Sequence, residues 1–184
     1  MEDGRSETGS NLGKVLRETE LLLLIAYGNS LRRDDGAGFI LAEKLEHLLH
    51  EAGKGVIRID THQLTPELSL DIVGEDVSAV IFLDTRAVSD PSDDLEIHVT
   101  EVRPADFASP SLGHHMDVSL LLAYTAHLFK TPPPAWLITI PGVDFNHGEG
   151  LSDTARNAIE NALETLPALI DRSLKKARSQ PQYR

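Results

Sequence analysis

Carboxylates and imidazoles stand just past the apolar runs of this chain. The run Leu21-Leu22-Leu23-Leu24-Ile25-Ala26-Tyr27 ends in Gly28-Asn29, and Asp34-Asp35-Gly36 follows. The short segment Val56-Ile57-Arg58-Ile59 ends in Asp60, and the apolar run Val80-Ile81-Phe82-Leu83 ends in Asp84. His114 and His115 precede another apolar stretch that reaches Phe129. Two carboxylates and one imidazole form a hard-to-borderline donor set that suits nickel, zinc or manganese. Three protein ligands leave coordination positions open for something else to bind. Asp84 is the sharpest position: a carboxylate directly after four apolar residues is either a ligand or a cap for the next turn. Asp35, before Gly36 and a helix, also makes a good helix N-terminal residue, and Asp34 is the expected cap or solvated neighbour. Asp60 is a candidate supporting acid or base. A helix N-terminus disfavours imidazolium, so His114 is expected neutral, the form that ligates a metal, with His115 as the other candidate. His62, His98, His127 and His147 are expected to be surface or locally hydrogen-bonded residues.

Other chemistries lack their residues. The chain has no cysteine, which removes disulfides, thiolate metal sites and cysteine nucleophiles. Gly28, Gly36 and Gly38 fit neither the dinucleotide fingerprint nor the phosphate-binding loop. There is no G-x-S-x-G elbow and no H-E-x-x-H zinc signature. The formal net charge is −12, so nucleic acid and anionic membranes are not expected partners. The longest apolar run is too short to span a bilayer. The first 20 residues carry no apolar stretch after a basic start, so a secretory leader is not expected. A cytoplasmic monomer is expected.

Elements must bring these scattered residues together. The apolar runs at 21–27 and 77–84 suit buried strands, 56–60 and 136–140 read as further strands, and 95–99 alternates like an edge strand. Leu41, Leu45, Leu48 and Leu49 recur at helical spacing, and Gly53 ends that helix. Thr65-Pro66-Glu67 reads as a helix start. His115 to Phe129 reads as a helix with Met116, Leu120, Ala123 and His127 along one stripe and Val118, Leu121 and Leu122 beside it. Ser152 caps a last helix with an apolar inner face from Ile159 to Leu174, and Pro167 is a potential kink. With 184 residues, the chain fits one domain. The alternation predicts a single three-layer α/β/α domain over residues 19–178, with a mostly parallel, twisted sheet flanked by helices on both faces. Residues 1–18 are expected as a flexible lead-in and 179–184 as a frayed tail. In such sheets ligands bind outside the carboxyl ends of the strands, where Asp35, Asp60 and Asp84 fall.

Five blocks, in order, resemble the hydrogenase maturation endopeptidases. Gly28 to Gly38 resembles their opening motif, Asp60 to Leu68 their second block, and Val80 to Asp84 their third. Gly113-His114-His115-Met116 falls where they carry a histidine, and Gly148 to Ser152 is similar to their segment before the last helix. The likeness runs from about Leu21 to about Leu174. It implies an endopeptidase that trims a C-terminal extension from the large-subunit precursor of a nickel–iron hydrogenase after nickel insertion. It also implies that nickel, supplied by the precursor, is the recognition element, bound by Asp35, Asp84 and His114. Asp35 and Asp84, with Asp60 as a candidate supporting acid or base, are the expected catalytic residues. The family's first ligand is often glutamate, here Asp35, and Ala26 stands where many members have glycine. A noncatalytic protein that grips a metal-loaded partner is the alternative.

Overall fold

The computed structural model describes residues 21–89, 94–106 and 116–179. The expectations for the lead-in 1–18, the tail past Ser179, the turn beginning at Pro91, the loop end at Gly113, and His114 and His115 lie outside the described residues. The elements run β1 (Leu21–Tyr27), a 3-10 turn (Arg33–Gly36), α1 (Ala37–Glu51), β2 (Gly55–Thr61) and α2 (Leu68–Ile72). Then come β3 (Val77–Ala87), β4 (His98–Val102), α3 (Val118–Leu128), β5 (Ala135–Gly142), α4 (Asp153–Leu163) and α5 (Leu166–Ser179). The sheet order is β2-β1-β3-β5-β4. Every pairing is parallel except β4 with β5, so the sheet is mostly parallel, as the alternation predicts.

Strand residues alternate between two separate cores. Leu22, Leu24 and Ala26 of β1, with Ala79, Ile81 and Leu83 of β3, pack under α1, α4 and α5. Leu23 and Ile25, with Val80 and Phe82, pack under α2 and α3. Both faces of β1 and β3 are therefore dry, which explains why their sequences read as unbroken apolar runs rather than as alternation. The resulting three layers put helices on each side of the sheet.

Several local expectations shift. β3 continues to Ala87, so Asp84 lies inside the strand rather than at its end. The edge strand pairs at 98–102, with His98 opposite Thr139. The Thr65-Pro66 start leads to a helix of only five residues. On α3 the buried residues are Val118, Leu121, Leu122, Ala123 and Thr125, whereas Leu120 is half-buried and His127 exposed. The cap at Asp117, whose carboxylate accepts from Leu120 N at 2.8 Å, fixes where α3 starts. The last helix breaks at Glu164–Thr165, and Pro167 sits in the first turn of α5, where its missing N–H costs nothing.

Gly38 lets α1 lie close on β3: a Cβ there would meet Leu83 O at 2.9 Å and Asp84 N at 3.5 Å. Alanine usually favours a helix interior over glycine by about 1 kcal/mol. Here contact with β3 backbone should override that gain, and Gly38→Ala should lower stability by about 1–3 kcal/mol in urea unfolding. A stabilised variant would show that α1 does not need this close approach.

Candidate active site

β1 lies between β2 and β3, and the chain leaves β1 toward β2 before crossing back to β3. That reversal makes the carboxyl ends of β1 and β3 the expected ligand position in such sheets. Asp84 comes to it from β3 and Asp35 from the turn after β1. The two carboxylates are close enough for the charge of Asp35 to act on Asp84. Asp84 Oδ1 accepts from Thr85 N at 2.7 Å, and the Tyr27 phenol is directed at the same carboxylate. Burial pushes the Asp84 carboxyl above the ordinary carboxylate range; the bonds from Thr85 and Tyr27 offset part of this, and Asp35 adds to the rise. Burial, and then the charge of Asp84, drive the Tyr27 phenol far above its usual range, so it stays a donor. Asp117 also acts on Tyr27, which puts the N-terminus of α3 beside this group.

Asp34 and Asp35 divide their work differently from the expected cap and neighbour. Asp34 is not solvated: its exposure is 0%, and it joins two loops. Its Oδ2 accepts from Val143 N at 2.8 Å, Asp144 N at 3.0 Å and Ser152 Oγ at 2.7 Å. Its Oδ1 accepts from Ser152 N at 2.7 Å. Burial alone would raise its pKa, but the bonds from Ser152, Asp144 and Val143 hold it below the usual carboxylate range. Asp35 is partly exposed, and Arg32 Nη1 stands 3.9 Å from its Oδ2. Gly28, at φ 144°, makes room beneath it: a Cβ there would collide with Asp35 O at 2.1 Å.

Asp60 is not brought to this group. It pairs in register with Ala26, which pairs with Leu83, so it shares the face covered by α1. Its neighbours there are Arg58, Glu46 and Glu43. Asp84 shares the opposite face with Tyr27 and the start of α3. Of the lone histidines, His62 and His147 are exposed, and His98 Nε2 is 2.7 Å from Asp94 Oδ2. Among the described residues no group of three or more His, Asp or Glu side chains is set to hold a metal ion. Asp35 and Asp84 meet here, and the expected His114 and His115 lie outside the described residues. Sequence reasoning missed Tyr27 and the anchoring by Asp34. The alternation of Leu23, Ile25 and Tyr27 was the available signal for Tyr27, since it puts the phenol on one face with Phe82 and Asp84.

The raised Asp84 pKa has a signed consequence for stability. The folded state binds this proton more tightly than the unfolded chain, whose aspartates titrate near about 3.9. The favourable contribution is therefore complete below that value and is lost as pH rises through the folded value. At pH 7 the buried charge opposes folding. Asp84→Asn should thus have a higher Tm than the parent at pH 7, and the gap should narrow as pH falls toward 4. An equal or lower Tm at pH 7 in a melting series would contradict the burial cost.

No protein-family model matches the sequence, and no curated protein does. Solved structures do. The hydrogenase maturating endopeptidase HybD from E. coli is 21% identical, with a TM-score of 0.60 over 83% of this chain and 93% of that one. The NiFe hydrogenase maturation protease HycI from Thermococcus kodakarensis is 17% identical, with a TM-score of 0.61 over 85% of this chain and 99% of that one. HybD from the same archaeon is 20% identical, with a TM-score of 0.54 over 80% and 97%. Identities this low carry the fold and not the activity. Among the described residues no helix is long and apolar enough to cross a membrane. The chain has the fold of the hydrogenase maturation endopeptidases, across nearly the whole length of those proteins.

Proposed function

We propose that this protein is an endopeptidase that removes a C-terminal extension from the large-subunit precursor of a nickel–iron hydrogenase, with the nickel held by that precursor as its recognition element. The observation that carries the proposal is the meeting of Asp35 and Asp84 at the switch point between β1 and β3, on a fold shared with proteins described as hydrogenase maturation proteases. Two carboxylates at an open strand end, with an imidazole from His114, would complete the coordination of a metal that its own protein leaves partly exposed. Nickel belongs to the substrate and leaves with the product.

The chemistry of Asp84 supports this use. A carboxylate that is partly desolvated and beside another negative charge is relieved by an arriving cation. The site is thus poorly suited to remain an empty pair of anions and well suited to a metal-loaded partner. Asp35, more open to solvent, can approach a metal carried by another protein. Thr85 N and Tyr27 fix the orientation of Asp84, which limits the entropy lost on binding. Nickel near the scissile bond would polarise its carbonyl or activate a water, and the protein's carboxylates would set its position. Asp60, on the other face of the sheet, takes no part. The proposed working unit is one copy of the chain, and a cytoplasmic location fits its cysteine-free composition.

Incubation with nickel-loaded precursor, followed by mass spectrometry of the intact subunit, tests the proposal. The expected result is loss of a C-terminal peptide from the loaded precursor alone. Asp84→Asn and Asp35→Asn should each lower kcat/KM by on the order of 100-fold or more. Equal cutting of nickel-free precursor would remove nickel as the recognition element. Tight, nickel-dependent binding without any mass loss would make the protein a noncatalytic partner instead.

A further inference from the structure

Asp34 is a fully buried carboxylate outside the proposed metal-binding pair, and its partners lie more than a hundred residues away along the chain. Its four accepted bonds tie the 3-10 turn after β1 to the segment 143–152 after β5. Other contacts follow the same seam. Arg33 N donates to Gly148 O at 3.0 Å, Gly148 N to Leu31 O at 2.8 Å, and Asp34 N to Asp144 O at 3.0 Å. Thr85 Oγ1, next to Asp84 in β3, donates to Asp34 O at 2.7 Å. Arg33 is held at φ 49°, a left-handed conformation that a non-glycine residue rarely adopts, and its guanidinium reaches Asp144 at 3.4 Å. The turn is therefore over-determined on both sides of Asp34, and Asp35 is its next residue.

Resting on the function proposed above, we infer that Asp34 is the positioning residue for Asp35. It fixes the turn from which the Asp35 carboxylate is presented, and through Thr85 it couples that turn to the strand that carries Asp84. It touches neither metal nor peptide. Asparagine cannot replace it: an amide in either orientation turns a donor toward an N–H or O–H that needs an acceptor. Glutamate would carry the carboxylate one methylene past the donors that now converge on it.

The test is a double-mutant cycle on processing of nickel-loaded precursor, at a temperature where circular dichroism shows each variant fully folded. Asp34→Asn alone should lower kcat/KM by on the order of 100-fold, the scale of a misplaced reacting group. In an Asp35→Asn background the same substitution should cost no more than about twofold, because the residue it positions is gone. Amide exchange at Val143, Asp144 and Ser152 should accelerate in Asp34→Asn while exchange in β1 and β3 is kept. Should Asp34→Asn fail to fold, Ser152→Ala serves in its place. It removes one donor to Asp34 and should show a smaller loss, on the order of tenfold, absorbed in the same way by Asp35→Asn.

Near-parental processing by folded Asp34→Asn, with Asp35→Asn inactive, would overturn the inference and leave the proposed function standing. Losses that multiply in the double variant would also overturn it, since they describe general destabilisation. If Asp35→Asn itself processes like the parent, both the proposed site and the positioning role fall.

Discussion

A carboxylate taken out of water must find donors for both oxygens, and Asp34 finds four: three backbone N–H groups and one hydroxyl. These donors lie 109 to 118 residues further along the chain. The interaction thus folds the segment between β5 and α4 back onto the first loop and closes the carboxyl edge of the sheet. The N-terminus of α4 depends on it as well. Ser152 caps that helix by accepting from Ala155 N at 3.2 Å while its own hydroxyl donates to Asp34 at 2.7 Å. Leu31, Arg33, Asp35 and Thr85 all take their places relative to this point. Because hydrogen bonds favour the charged form, Asp34 contributes stability above the unfolded carboxylate range and loses it as pH falls through its own lower value.

Asp34 and Asp84 face the same problem of burial and reach opposite solutions. Asp34 is fully satisfied, and its pKa falls. Asp84 has Thr85 N and the Tyr27 phenol, too little to offset its desolvation, and its pKa rises. A satisfied carboxylate is structural scaffolding; an under-compensated one at an open edge stores free energy that an arriving cation can release. Physical environment separates the two aspartates, which residue type and loop composition do not.

The parts legible in sequence were those set by short-range pattern. The leucine run of β1 and the Val80–Leu83 run of β3 had to be buried on both faces, and the alternation with helices made the sheet mostly parallel. Those features were enough to put Asp35 and Asp84 at one edge. What was hidden depends on register and on distant partners. The burial of Asp34 is invisible locally because Val143, Asp144 and Ser152 are remote in sequence. Asp60 looked comparable to Asp84, since both fall at the ends of strands expected from the sequence. Only the pairing Asp60–Ala26–Leu83 shows that it points to the other face. On α3 the spacing put His127 in line with buried Ala123, but the last turn of the helix runs out of the core and leaves His127 exposed.

The most direct test of nickel recognition by Asp35 and Asp84 is the nickel X-ray absorption spectrum of loaded precursor, alone and bound to this protein. If the two carboxylates ligate the metal, the bound spectrum gains oxygen scatterers in the first coordination sphere, and the Asp35→Asn and Asp84→Asn variants lose them. A nickel spectrum that is unchanged on binding, in a complex that goes on to be cleaved, would contradict metal recognition at this site.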